Sequence, residues 1–325
     1  MPCCQCDEAL SGVVALTQNQ PRNFAASIRQ RLLDLARKKS EAFDLVLTRY
    51  ALERLLYRIG QSQWRTRFLL KGAMLFTLWY DAPYRPTRDL DLLAFGQYDI
   101  EHLTETFRAL CEIPVEEDGL ALMKESVRGS EIRGENEYHG VRIRMTATLA
   151  GAMIPLQVDV AFGDAVVPAP EEVRYPTILD LPPPQVLAYS RYSVVSEKFQ
   201  AMVMLGIANS RMKDFYDIWT LAREFDFDGL LLSRAIAATF ERRRTNLPAE
   251  DPLALTNSFS QDRAKATQWD AFLNKNRLST EKLSFPNVTA FLRDFLMPPV
   301  LCIQEGAEFN MIWSASGPWK PGAMA

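Results

Sequence analysis

The stretch from Leu70 to Leu93 decides how the sequence is interpreted, and it reads LKGAMLFTLWYDAPYRPTRDLDLL. Its pattern predicts a short strand, a turn at Gly72, a short helix, a polar loop and a second strand over residues 89–95. Asp89 and Asp91 are two residues apart on that second strand, so both side chains point to one face. The leucines that alternate with them point to the other face, which we expect to be the core.

The spacing of the two aspartates predicts a metal site. Carboxylates this close repel each other unless a cation lies between them, and Mg²⁺ prefers one or two protein carboxylates together with phosphate oxygens and water. A later hairpin of two strand-like runs, residues 141–149 and 154–162, carries Asp159 on its polar face. If the second run lies beside the first carboxylate strand, Asp159 completes a cluster that can hold two metals about 3.5–4 Å apart. We therefore predict Asp89, Asp91 and Asp159 as metal ligands.

Gly72 supplies the other half of the pattern, because it stands immediately before the predicted short helix. A glycine there lets the backbone approach a triphosphate, and a helix N-terminus is electropositive. Neither a Gly-Ala pair nor a single Asp-x-Asp is specific by itself. The combination of glycine, helix, loop, Asp-x-Asp strand and later aspartate strand is much more specific.

The composition excludes several classes of protein. The 325 residues carry 37 Lys and Arg against 40 Asp and Glu, for a formal net charge of -3, so any site for a polyanion must be local. Only two histidines are present, His102 and His139, which disfavours a histidine-built zinc site. No apolar stretch is long enough to span a membrane, and residues 1–20 lack the pattern of a secretory signal. We therefore expect a cytoplasmic protein with free thiols and no membrane partner.

The chain is predicted to be an α+β protein, because a mixed sheet comes first and helices follow. Three cysteines near the start lack a fourth ligand, so we expect a frayed tail there rather than a metal site. The predicted parts are a poorly ordered segment (1–22), N-terminal helices with the catalytic domain (23–184), a helical domain that completes the active site (185–297) and a C-terminal tail (298–325).

Several charged residues admit two interpretations from the sequence alone. The first helices have basic faces that include Arg54 and Arg58, and these faces are either solvated or directed at phosphates. Arg242-Arg243-Arg244 ends a helix, where cations offset the macrodipole, or it contacts RNA. Asp164 is expected to be a structural turn residue.

Two sets of residues resemble a known family. The order of Gly72, Asp89-x-Asp91 and Asp159 is similar to that of the DNA polymerase β nucleotidyltransferase superfamily. Within it, Lys71-Gly72-Ala73 followed by Arg85-Pro-Thr87-Arg-Asp89-Leu-Asp91 resembles the AbiEii/AbiGii toxin family. A second stretch agrees with that family's helical motif: Ser196-Glu-Lys198-Phe-Gln-Ala-Met, then Arg211-Met-Lys-Asp214-Phe-Tyr-Asp217. The matched regions run from about Leu69 to Trp219.

The resemblance implies a polymerase β-like nucleotidyltransferase fold, with a mixed sheet, flanking helices and a C-terminal helical domain. It also implies Mg²⁺ or Mn²⁺ as the metal and an NTP as the substrate. Carried over to this sequence, it assigns Asp89 and Asp91 to the metal, Lys198 to the triphosphate, and Asp89, Asp91, Lys198 and Asp214 to catalysis. We also predict Lys71, Gly72, Ala73, Thr87 and Arg88 at the triphosphate. Arg85 and Arg88 either contact phosphates, of the triphosphate or of RNA, or balance the local negative charge. Lys198 and Asp214 also fit an interhelix salt bridge, and the two roles are compatible.

The same resemblance implies the toxin of a bacterial toxin–antitoxin or phage-defence (abortive infection) system. Some members, in the mycobacterial branch, add nucleotides to the 3′ end of tRNA. We therefore expect transfer of a nucleoside monophosphate to RNA, with tRNA as the first candidate and a cognate antitoxin as a possible partner. Two alternatives stay open: a nucleotidyltransferase that modifies a small-molecule or protein hydroxyl, and a non-catalytic NTP-binding protein. The intact Asp89, Asp91, Lys198 and Asp214 argue against the second of these, and Ala73 keeps it open because many relatives have Gly or Ser there.

Overall fold

The computed structural model describes residues 23–80, 87–96, 99–132, 140–278 and 283–322. The predicted N-terminal segment 1–22, with its three cysteines, and Arg85 and His139 lie outside the described residues. The helices are α1 (Phe24–Lys39), α2 (Phe43–Gly60), α3 (Phe76–Trp79), α4 (Ile100–Leu110), α5 (Arg191–Leu205), α6 (Met212–Glu224), α7 (Gly229–Arg242), α8 (Asn257–Ser260), α9 (Arg263–Asn276) and α10 (Phe285–Gln304). The strands are β1 (Phe68–Lys71), β2 (Asp89–Ala94), β3 (Leu120–Ile132), β4 (Gly140–Leu149), β5 (Ala152–Phe162), β6 (Glu171–Arg174), β7 (Gln185–Ala188), β8 (Phe227–Asp228), β9 (Met311–Trp313) and β10 (Trp319–Pro321).

A seven-stranded mixed sheet organises the first half of the chain, with the strand order β3-β4-β5-β2-β1-β7-β6. Strand β2 pairs antiparallel with β1 on one side and parallel with β5 on the other. Strands β4 and β5 form the predicted hairpin, which turns at Ala150 and Gly151, both with positive φ. The predicted α+β class and mixed sheet are confirmed, and β5 lies directly beside the strand that carries the Asp-x-Asp pair.

Helix α2 packs against β5 and β7 of the sheet and is buried on almost every face. Arg54 and Arg58 are only 0% and 5% exposed, so neither belongs to a solvated or phosphate-facing surface. Arg58 donates to the Asp118 carboxylate at 2.7 Å and to the Leu120 carbonyl at 3.2 Å. A buried charge needs such partners, and the helical pattern of α2 contains no sign of an acceptor 60 residues away.

The helical region that follows the sheet is held together by contacts among α5, α6, α7 and α10. Phe215 of α6 packs against Phe259 and Phe285, with ring centroids 5.9 and 5.1 Å away. Between α5 and α7, the hydroxyls of Ser196 and Thr239 are hydrogen-bonded at 2.9 Å. This packing fixes α5 relative to α6, and these are the helices that carry Lys198 and Asp214.

The last helix continues past residue 297, where the predicted helical domain ended. Helix α10 contains Pro298 and Pro299 and ends only at Gln304. Proline has no backbone N–H to donate within a helix, so Pro299 leaves the carbonyl of Phe295 without its usual donor. The indole Nε1 of Trp319 donates to that carbonyl at 3.0 Å. A tertiary hydrogen bond thus replaces the one that the proline removes.

The predicted C-terminal tail contains regular structure: the end of α10 and two short strands. Strands β9 and β10 form a hairpin, and β9 pairs with β8 in a three-stranded sheet. Trp313 is 2% exposed, and its indole Nε1 donates to the Ala222 carbonyl of α6 at 2.6 Å. The tail therefore packs on the helical region, which a sequence rich in Pro, Gly and Trp did not reveal.

Within the described ranges, no helix is both long enough and apolar enough to cross a bilayer.

The Arg58–Asp118 pair generates a prediction about stability. Asp118→Ala is expected to lower the free energy of unfolding by about 3–5 kcal/mol, because the buried Arg58 guanidinium loses its carboxylate partner. Asp34→Ala is the control, since Asp34 is exposed and lies 3.7 Å from Arg37; its effect should be below about 0.5 kcal/mol. Urea unfolding followed by circular dichroism measures both values. Equal effects would contradict a special role for the buried pair.

Candidate active site

Three neighbouring strands bring the predicted carboxylates to one place. Asp91 of β2 lies opposite Lys71 of β1 and opposite Asp159 of β5. Asp89 is two residues earlier on β2 and shares the face of Asp91. The neighbouring positions that the three-carboxylate prediction required are therefore present in the sheet.

The surroundings of Asp91 disfavour its ionised form. Burial raises the pKa of this carboxyl above its usual value, and the charges of Asp89 and Asp159 raise it further. Lys71 and Lys213 act in the opposite direction without cancelling these effects. A hard divalent cation next to Asp91 would supply the missing positive charge.

The donor chemistry of Asp89 and Asp91 fits Mg²⁺ or Mn²⁺, whereas the Asp159 carboxylate already has a partner. Arg142 lies directly across from Asp159, and its Nε and Nη2 donate to the two carboxylate oxygens at 2.8 and 2.7 Å. Across the described ranges, no three His, Cys, Asp or Glu side chains converge to form a ready metal cage. All three carboxylates therefore stay predicted metal ligands, and Asp159 is the one that already has a cationic partner.

Gly72 lies against the Asp91 carboxylate. It has a φ of +72°, and a β-carbon at this position would overlap the Asp91 carboxyl group. Glycine is therefore required at this position for two reasons. It adopts the left-handed backbone conformation without strain, and it lets the backbone approach the Asp91 carboxyl group closely. Gly72 and Ala73 open a 3₁₀ turn, Gly72–Leu75, which continues into α3. The predicted order of strand, glycine and short helix is confirmed.

Thr87 and Arg88, both predicted at the triphosphate, lie at the start of β2. The Thr87 hydroxyl donates to the Asp89 carbonyl at 3.3 Å. The Arg88 side chain is 61% exposed and forms an ion pair with Asp44 of α2 at 2.8 Å. The structure places both residues near the carboxylates, and their contact with a triphosphate stays a prediction.

Lys198 of α5 is bound to α6. Its Nζ lies 2.7 Å from Asp214 and 2.8 Å from Asp217, and both carboxylates are almost fully buried. Arg211 also contacts Asp214, at 2.6 Å. Burial opposes ionisation of Asp214, but the charges of Lys198 and Arg211 outweigh it and lower its pKa. The predicted interhelix salt bridge is present, and it holds Lys198 in a defined orientation.

Lys71 lies in an ionic cluster that sequence analysis missed. Its Nζ is 2.7 Å from Asp164 and 3.0 Å from Glu197, and Arg243 approaches Asp164 to 2.9 Å. Burial opposes ionisation of Asp164, yet the charges of Lys71 and Arg243 lower its pKa to about 2. Arg243 therefore points inward, towards a carboxylate 79 residues away, and Lys71 is 93 residues away from the same carboxylate. No local sequence signal could join these residues, and a triphosphate role for the Lys71 ammonium stays a prediction.

Comparison with known proteins gives one family and two similar folds. A family model described as "Nucleotidyl transferase AbiEii toxin, Type IV TA system" matches residues 54–294. A Helicobacter pylori protein described as a candidate nucleotidyltransferase is 13% identical, with a TM-score of 0.46 over 80% of this chain and 96% of its own. The Helicobacter pylori protein JHP933 is 12% identical, with a TM-score of 0.45 over 79% of this chain and 93% of its own. None of the curated proteins matches the sequence.

The contact between Gly72 and Asp91 generates a prediction with an internal control. Gly72→Ala and Gly151→Ala both place a β-carbon on a backbone with positive φ, which costs about 1–2 kcal/mol. Nothing lies within 4 Å of a β-carbon at Gly151, whereas at Gly72 the Asp91 carboxylate must move. We expect Gly72→Ala to lower the free energy of unfolding by about 1 kcal/mol or more beyond Gly151→Ala. Equal losses in urea titrations would show that the contact is not tight.

Proposed function

Because this chain belongs to the AbiEii nucleotidyltransferase toxin family, we propose that it transfers a nucleoside monophosphate from an NTP to RNA, with tRNA as the first candidate acceptor. The observation that carries the proposal is the close approach of the Gly72 turn to the Asp91 carboxylate. It puts a backbone suited to a triphosphate against a carboxylate suited to a divalent cation. Lys198 supplies a positive charge from the neighbouring helix α5.

Asp89 and Asp91 would hold the metal, with Mg²⁺ or Mn²⁺ as the matching ion. A divalent ion bound there neutralises phosphate charge and lowers the pKa of a coordinated hydroxyl. The Asp89 carboxylate accepts a hydrogen bond from the Arg88 backbone N–H at 3.2 Å, and its position on the same face of β2 as Asp91 supports a ligand role for it. A cation beside Asp91 would favour the ionised form of this carboxyl, which its buried surroundings disfavour.

The triphosphate would lie between the Gly72 turn and Lys198. The acceptor hydroxyl attacks the α-phosphorus in line and gives up its proton to water, a new P–O bond forms, and pyrophosphate leaves with the electrons of the broken bond between the α-phosphorus and the bridging oxygen. Lys198 offsets the charge of the phosphates, because an ammonium is a compact cation with three donors. Asp214 is engaged by Lys198 at 2.7 Å and by Arg211 at 2.6 Å, which supports a role in orienting Lys198.

RNA is the proposed acceptor because the family consists of toxins and because cations surround the carboxylates. Arg211 and Lys213 are exposed at the start of α6, and the positive charge of Lys213 favours the ionised form of Asp91. The net charge of -3 means that such a basic site must be local. We propose a cognate antitoxin as the protein partner, because the family consists of toxins of toxin–antitoxin systems.

A labelling assay tests the proposal. The protein is incubated with Mg²⁺, each of the four α-³²P-labelled NTPs and total bacterial RNA, beside the variants Asp91→Ala and Asp270→Ala. We expect label in a tRNA-sized band, at least about a 100-fold loss in Asp91→Ala, and full activity in Asp270→Ala, which removes an exposed carboxylate on α9. Chelation of the metal should remove the label in every sample.

Other outcomes would redirect the assignment. Label on protein or on a small molecule instead of RNA would favour the alternative acceptor. Binding of an NTP without any transfer would favour a binding protein. Undiminished transfer by Asp91→Ala would show that the site is elsewhere.

A further inference from the structure

Four charged side chains from separate segments meet beside the Gly72 turn, and we name them the Lys71 cluster: Lys71, Asp164, Glu197 and Arg243. Lys71 Nζ lies 2.7 Å from Asp164 and 3.0 Å from Glu197. One Arg243 nitrogen, Nη2, lies 2.9 Å from Asp164 and 3.6 Å from Glu197. Two cations thus face two carboxylates, and each cation contacts both of them.

The Lys71 cluster joins the two halves of the candidate site. Lys71 ends β1, immediately before Gly72, and is paired with Asp91 in the sheet. Glu197 lies on α5, immediately before Lys198. One ionic cluster is therefore adjacent in sequence both to the proposed triphosphate turn and to the proposed triphosphate lysine.

The cluster has little freedom to move. Its side chains are only 4–17% exposed. The second Arg243 nitrogen, Nη1, donates to the Gln200 side-chain oxygen at 2.9 Å, and Gln200 donates in turn to the Thr245 hydroxyl at 2.8 Å. The Lys71 ammonium also lies over the ring of Tyr189, 5.1 Å from its centroid. These contacts determine where β1 ends relative to α5.

We infer that Arg243, Asp164 and Glu197 are positioning residues that hold Lys71, and with it the Gly72 turn, at a fixed distance from the helix that carries Lys198. The inference rests on the proposed function, because it assigns the triphosphate to the space between that turn and Lys198. Buried ion pairs contribute little to stability compared with apolar packing, and their better-supported role is to specify one arrangement. Arg243 would act through Lys71, which it approaches by way of Asp164 and Glu197.

Arg243→Gln tests the inference, with Arg243→Lys as the conservative variant and Arg234→Gln as the control. Arg234 is an exposed arginine on α7, the helix that Arg243 directly follows. We expect Arg243→Gln to raise the KM for the NTP about 10- to 100-fold, as is typical when a supporting partner of a site is lost. Arg243→Lys should restore most of the affinity because it keeps the charge, and Arg234→Gln should behave as wild type.

The division between KM and kcat separates positioning from general stability. If Arg243 only stabilised the fold, its loss would lower the fraction of folded enzyme, so kcat would fall and KM would stay constant. A KM in Arg243→Gln equal to that of wild type would overturn the inference. If Arg243→Lys were as impaired as Arg243→Gln, the charge would not be what positions the turn, and the inference would also fail.

A measurement without nucleotide keeps the inference separate from the proposed function. Hydrogen exchange of the peptide that covers residues 68–76 reports on the Gly72 turn directly. We expect faster exchange there in Arg243→Gln and wild-type exchange in Arg234→Gln. Unchanged exchange would overturn the inference even in an active enzyme. A wild type that neither binds nor transfers any NTP would refute the proposed function, and the exchange rates would still decide whether Arg243 holds the turn.

Discussion

Strand β2 pairs with the antiparallel strand β1 on one side and with the parallel strand β5 on the other, and these two pairings determine the geometry of the whole candidate site. The antiparallel pairing with β1 brings Lys71 and Gly72 to Asp91, and the parallel pairing with β5 brings Asp159 to the same position. A shift by one residue would turn Asp89 and Asp91 into the core and expose the leucines between them. The buried leucines Leu90 and Leu92 therefore hold the carboxylates on the open face.

The charged groups of the site are arranged in compensated sets. Lys198 with Asp214 and Asp217, and Lys71 with Asp164, Glu197 and Arg243, are buried ionic groups that water would otherwise solvate. Such groups are tolerated only when their partners are fixed. Asp91 is the exception, because its surroundings disfavour its charge. The carboxyl group of the site whose ionised form is disfavoured thus lies where the proposed metal would bind.

Much of this could be predicted from local patterns. Alternation identified β2 and the β4–β5 hairpin, and two-residue spacing placed Asp89 and Asp91 on one face. The salt bridge of Lys198 with Asp214 was predicted as well. The errors at Arg54 and Arg58 share a cause with the unforeseen acceptor of Arg243, since all three look like surface cations in the sequence, although Arg243 does follow the end of a helix as predicted. Their acceptors lie in distant segments, and no periodicity within a helix indicates an acceptor elsewhere in the chain.

The sequence by itself determined the local elements and the chemical character of the site, because hydrophobic alternation, glycine and carboxylate spacing act over a few residues. Only the tertiary structure decided which residues meet. It paired Asp159 with Arg142, joined Lys71 to Asp164 and Arg243, and extended α10 through Pro299 by means of the Trp319 hydrogen bond. The physical reason is that the free energy of a buried charge or an unpaired carbonyl depends on groups that folding brings together, however far apart they are in the chain.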